Sequence, residues 1–190
     1  MKIYLDNSII GRPVDIARGM KPPEPRLEED LAILPELIAL CRNRDYLLCV
    51  SSEAEAEIDR VKKPDRRQEL FQKLQEFELL PATVDSNNAA SLVDALEEFL
   101  LSKTRITRAE KKQALRWDAC HLASCRLNGC DVFLTTDYGS IWAYRRDLKR
   151  LHGVNVRRPA ELYHELVVPE LKSKGAERLI GIRVSNLTPK

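Results

Sequence analysis

The sequence predicts an α/β fold: a central, largely parallel sheet with helices layered on both sides. Two observations carry that prediction. Short β-branched and aromatic runs at 2–5, 46–50 and 131–136 alternate with longer segments of helical apolar spacing, the pattern that builds parallel sheets. Acids also stand where two of those runs stop, at Asp6 and Asp137, and open α/β sheets gather their ligands at the carboxyl ends of strands.

The opening KIYL reads as a buried strand, and Asp6-Asn7-Ser8 marks its end. A loop is expected next, because Gly11, Pro13, Gly19, Pro22, Pro23 and Pro25 interrupt regular structure. From Leu27 an apolar spacing of three and four residues predicts a helix to about Asn43, kinked at Pro35. YLLCV is the second strand, and Ser51-Ser52 with Glu53 and Glu55 resembles a helix start with acids in its first turn. Pro64-Asp65 restarts a helix through about Phe77, LLPATV holds a short strand, and 87–101 is helical. Thr107 with Glu110 makes a capping-box pattern that opens a long helix to Leu127, stopped by Asn128-Gly129. DVFLTT is a strand ended by Asp137, residues 140–149 are helical, GVNV is a short strand, and Pro159 begins a short helix.

At 190 residues with no polar low-complexity run, one compact domain is expected over 1–168, with 169–190 as an appended C-terminal arm. Charged residues make up 32% of the chain, yet the net charge is only +2, so no global field marks a nucleic-acid binder. Any phosphate contact must come from a local basic patch. Five cysteines without CxxC spacing predict reduced thiols in a cytoplasmic protein, and no apolar run reaches the roughly 20 residues needed to span a bilayer.

Asp6, Asp118 and Asp137 each sit beside an apolar stretch that should be buried. Taken singly, each is well explained as a cap or turn former. Their joint placement points elsewhere. Carboxylates sharing one pocket repel, and a hard cation with oxygen ligands, Mg²⁺ or Mn²⁺, keeps them ionised. Such a site performs metal-assisted phosphodiester hydrolysis.

The order of these segments resembles the PIN-domain nucleases from Met1 to about Glu165. MKIYLDNSIIGRP is similar to the family's first strand with its metal-binding aspartate, which implies Asp6 as a ligand and Ser8, with Asn7, as helpers. WDACHLASCRLNGCDVFLTTD resembles the pattern of an aspartate and histidine opening a helix, then glycine, then a strand ending in threonine and aspartate; it implies Asp118 and Asp137. RPAELYHEL is similar to the helix with which many members close. The family's remaining glutamate follows the strand-end serine by about six positions, so counting from Ser51 selects Glu57, with Glu53 one helical turn earlier on the same face. The resemblance thus implies a PIN-like nuclease fold and a ribonuclease using Asp6, Glu57, Asp118 and Asp137 as catalytic metal ligands. It also implies RNA as substrate, and it brings an antitoxin partner and a homodimer within reach. His121 is expected to be a satisfied packing histidine rather than a ligand.

Strand alternation aims Thr135 and Thr136 oppositely; Thr136 adjoins Asp137 and is a candidate to hydrogen-bond near the site, with β-propensity an equally good explanation of it. Candidates for phosphate contact are Arg12, Arg105, Arg108, Lys111 and Lys112, and Arg145, Arg146, Lys149 and Arg150, although any one of them taken singly is better read as part of a solvated face. Trp117, Tyr138, Trp142 and Tyr144 are candidates for base stacking, the two tryptophans being better suited to a core or interface. Two other function classes compete: a receiver-like module phosphorylated on a strand-end aspartate, which lacks its strand-end lysine here, and a catalytically silent PIN-like module that binds RNA or protein.

Overall fold

A computed structural model describes residues 1–21, 24–80, 87–104, 106 and 108–173. Its centre is a five-stranded, all-parallel sheet in the order β3-β2-β1-β4-β5. The strands are β1 (Lys2–Leu5), β2 (Leu47–Ser51), β3 (Glu78–Leu80), β4 (Val132–Leu134) and β5 (Val156–Arg157). The helices are α1 (Asn7–Ala17), α2 (Pro25–Asn43), α3 (Ser52–Asp59), α4 (Pro64–Leu74), α5 (Asn87–Thr104), α6 (Ala109–Leu127), α7 (Arg145–His152) and α8 (Pro159–Ser173).

Alternation along the strands divides the core into two layers. Ile3, Leu5, Val50 and Leu134 face one way and pack against buried residues of α1, α2, α3, α4 and α8. Tyr4, Cys49 and Phe133 face the other way, toward α5, α6 and α7. The sheet is therefore sandwiched between two helical layers, as an α/β/α fold. The chain winds outward from β1 to β3, then returns across β1 to β4 and β5. That reversal opens a crevice at the carboxyl ends of β1 and β4.

Four local expectations change. Residues 7–17 form a helix rather than a loop: Pro13 removes one helical hydrogen bond, at about 3 kcal/mol. Ile9, Ile10 and Val14 are buried on the sheet side of α1, and each buried aliphatic side chain stabilises by about 1.5–3 kcal/mol, which outweighs the loss. β4 stops at Leu134, so 135–137 have left strand alternation. Ser51 precedes α3 but makes no side-chain cap, because its hydroxyl is bonded to Tyr4 instead, with the oxygens 2.6 Å apart. Finally, α8 is a 15-residue helix that continues past 168 to Ser173.

The helix expected over 107–127 starts at Ala109, and its capping-box residue Thr107 lies outside the described residues, as do Arg105, Pro22, Pro23 and 174–190. Gly129 carries the chain out of α6 with φ 63°, which glycine accepts without strain. Among the described residues, no helix is long and apolar enough to cross a membrane.

Candidate functional site

β1 ends with its ladder continued one residue further: the Asp6 amide donates to the Leu134 carbonyl at 3.0 Å, locking the Asp6 backbone against β4. The Asp6 side chain is 4% exposed. Its Oδ2 accepts hydrogen bonds from the Ser8 hydroxyl at 2.5 Å and the Thr135 hydroxyl at 2.7 Å. Burial pushes the Asp6 carboxyl above its ordinary range and Asp137 adds to the push, while His121, Ser8 and Thr135 oppose it.

Asp118 projects from α6 and Asp137 from the turn after β4, and Ser140 joins them. The Ser140 hydroxyl lies 3.1 Å from Asp118 Oδ2 and also hydrogen-bonds Asp137 Oδ2. Asp137 Oδ1 accepts the amides of Gly139 at 2.9 Å and Ser140 at 2.8 Å, so this acid is a turn former as well as a site residue. Burial, followed by the charges of Asp6 and Asp137, raises the Asp118 carboxyl well above its usual value.

Glu57 stands on α3. Its Oε2 accepts a hydrogen bond from the Asn7 side-chain amide and lies 3.1 Å from His121 Nε2. His121 is 1% exposed, and its Nδ1 lies 2.7 Å from the Tyr4 hydroxyl. A carboxylate accepts, so Nε2 carries the proton; in the neutral ring Nδ1 then accepts from Tyr4, whose oxygen accepts from Ser51. Burial works against the charged forms of both partners. The shared hydrogen bond and their mutual attraction outweigh it, so Glu57 titrates below, and His121 above, its ordinary value.

Asp6, Glu57, Asp118 and Asp137 line one cleft of about 350 Å³, together with Asn7, Ser8, Arg12, Thr136 and Tyr138. A second cavity of about 260 Å³ shares Asn7, Ser8, Arg12 and Glu57 with it and has an apolar wall of Ile10, Ile58, Val61 and Leu70. Among the described residues, no group of three or more His, Cys, Asp or Glu side chains converges tightly enough to hold a metal ion as placed. The donor set nonetheless suits a hard divalent cation: four carboxylates, two of them pushed toward protonation, with no lysine or arginine ion pair to any of the four among the described residues. The buried Asn7 Oδ1 and Thr136 Oγ1 also lack hydrogen-bond partners.

The other predicted residues divide. Glu53 is 5% exposed, outside the cleft lining, and both its carboxylate oxygens lack partners. Thr136 lines the cleft, but the hydroxyl bonded into the site is that of Thr135, because both follow the end of β4 and alternation no longer sets their direction. Arg12 sits on the cleft lining, whereas Arg108, Arg146 and Lys149 are exposed elsewhere. Arg145 lies 3.8 Å over the Trp142 ring, which Arg26 approaches from 4.9 Å. Arg60 lies 4.4 Å over Trp117, beside Asp118 in sequence.

Sequence reasoning did not single out Tyr4, Thr135, Ser140 or Asp30. Asp30 on α2 is fully buried; it accepts the Tyr138 hydroxyl, the Ala160 amide at 2.9 Å and Arg158 at 3.3 Å. It fastens the turn bearing Tyr138 to the start of α8. Its apolar helical surroundings were the one available signal. No protein-family model matches the chain, and no curated protein matches it.

Proposed function

We propose that the acidic cleft is the active site of a metal-dependent endoribonuclease, hydrolysing phosphodiester bonds with Mg²⁺ or Mn²⁺. The observation that carries this reading is the gathering of Asp6, Glu57, Asp118 and Asp137 around one cleft at the sheet's topological crevice, with no lysine or arginine pairing them among the described residues. These four carboxylates would hold the cation. When bound, it supplies Lewis-acid chemistry: a more acidic water and stabilisation of charge on the phosphodiester oxygens.

The chain's own residues do the positioning. Ser8 and Thr135 fix the Asp6 carboxylate, His121 and Asn7 fix Glu57, and Ser140 spaces Asp118 from Asp137. Arg12 offers a guanidinium to a phosphate at the cleft, and Tyr138 a ring face beside it. The choice of RNA over DNA, and a partner antitoxin, rest on the resemblance to PIN-domain nucleases. Five free thiols fit a reducing cytoplasm.

Single-turnover assays on unstructured and structured RNA, with Mn²⁺ and with EDTA, test the proposal. Cleavage that needs Mn²⁺ and vanishes in Asp6→Asn supports it; metal-dependent cleavage that survives Asp6→Asn or Asp118→Asn overturns the site. A second reading follows from the placement of the acids, no three of which form an ion-holding group among the described residues: a silent module that binds RNA without cutting it. RNA binding with no cleavage under any divalent ion would select that reading.

A further inference from the structure

At the end of the sheet opposite the cleft, three thiols meet. α6 finishes in a Schellman motif: the Gly129 amide donates to the Arg126 carbonyl at 3.2 Å and the Cys130 amide to the Cys125 carbonyl at 3.0 Å. In this motif the side chains at the two ends of the longer hydrogen bond touch, a contact usually made by apolar residues. Here both are cysteines. Cys49, from β2, brings its sulfur to 3.9 Å from that of Cys130.

Cys125 and Cys49 are buried, while Cys130 is half-exposed and reachable from solvent. The neighbouring Cys125 thiol and the charge of Lys2 favour the Cys130 thiolate, while the Cys49 thiol donates to the Ile3 carbonyl at 3.3 Å. The Lys2 ammonium is held at this spot by the Asn128 carbonyl, 3.0 Å away. One thiol is thus exposed and activated, with a second fixed beside it by the backbone.

We propose that Cys130 and Cys125 form a hydroperoxide-responsive dithiol site, with Cys130 as the attacking sulfur and Cys125 as the resolving one. The Cys130 thiolate attacks one oxygen of a hydroperoxide; the O–O bond breaks, Cys130 becomes a sulfenic acid, and the alkoxide leaves and takes up a proton. The Cys125 thiol then attacks the sulfenic sulfur; the S–O bond breaks, and the hydroxyl departs with the thiol proton as water. Two thiols lose two electrons, and the peroxide is reduced to an alcohol and water.

Geometry selects Cys125 over Cys49 as the resolving partner. A disulfide requires Cα atoms within about 7 Å, which the Cys125–Cys130 backbone hydrogen bond enforces. Cys49 lies on β2, and the residues leading into β4 lie on the far side of β1. The Cys49 thiol is engaged by the Ile3 carbonyl of β1, 3.3 Å away, whereas the Cys125 and Cys130 backbones are hydrogen-bonded to each other.

The test treats the folded, reduced full chain with hydrogen peroxide, alkylates the remaining thiols, and maps tryptic peptides without reduction. The intact mass should fall by about 2 Da, and peptide 117–126 should be joined to peptide 127–145. Cys120 shares the first peptide, so the Cys120→Ser chain should give the same link, and Cys130→Ser should give none. A link from 127–145 to the Cys49 peptide, 45–60, would overturn the assignment. So would Cys130 stopping at the sulfinic acid, or thiols that survive the peroxide unchanged.

Discussion

His121 Nε2 lies 3.1 Å from Glu57 Oε2, joining a fully buried ring to a carboxylate of the cleft. The bond continues inward through Tyr4 to Ser51, so the orientation of Glu57 is set by groups deep in the sheet. Replacing His121 by Phe keeps a buried planar ring but leaves Glu57 with Asn7 alone and Tyr4 with Ser51 alone. The expected costs are about 1–3 kcal/mol in urea unfolding and about 10–100-fold in Mn²⁺ affinity by calorimetry. Unchanged Mn²⁺ affinity would confine His121 to packing.

Asp118 is pushed toward protonation by burial and by its acidic neighbours, so neutralising it should relieve strain in the metal-free protein. Asp118→Asn is expected to melt no lower than the native chain in EDTA, while losing Mn²⁺-dependent cleavage. Reduced stability in EDTA would show that the carboxylate supports the fold and does not merely burden it.

Glu53 and Glu57 share a helix face yet have opposite surroundings. Glu53 is buried with two unpartnered oxygens, and Glu57 is bonded to Asn7 and His121. Glu53→Met should therefore raise stability by about 1–2 kcal/mol and leave cleavage alone. Glu57→Gln should lower Mn²⁺-dependent cleavage by about 100-fold or more. Thermal melts and single-turnover rates on the two variants separate the residues, and a Glu53→Met chain that melts lower would show a partner for Glu53 outside the described residues.

Asp30→Ala removes the acceptor for Tyr138, Ala160 and Arg158 together and is expected to cost about 3–5 kcal/mol. Native Asp30 also shapes the acid limb of stability. Burial holds its carboxyl above the ordinary value, against the opposing Tyr138, Ala160 and Arg158, so the folded chain keeps this proton after the unfolded chain has released it. Its contribution to stability therefore falls as pH rises from about 4, the unfolded value, through the raised folded one. Urea titrations from pH 3 to 7 should show that component in the native chain and lose it in Asp30→Asn.

The strands were legible because KIYL and LLCV are short apolar runs buried after their first residue, and an acid stands at the end of the first. α1 was hidden because Gly11 and Pro13 dominate the local signal, while the burial of Ile9, Ile10 and Val14 that decides the matter is tertiary. Thr135 and Thr136 were exchanged because β4 ends one residue before the pair, a boundary that composition does not mark. The bonds from Tyr4 to His121 and from Asp30 to Ala160 cross more than a hundred residues, and nothing in either local sequence announces its partner.

The reversal of strand order at β1 has a consequence for how the protein comes into being. Asp6 emerges first during synthesis, but the amide that locks it needs the carbonyl of Leu134, and its hydroxyl donor Thr135 comes one residue later. The chain must be made through Asp137 and β4 inserted beside β1 before the four acids share a cleft. A nascent or truncated chain ending before that point carries the acids without the site, so any hydrolytic activity switches on late and all at once.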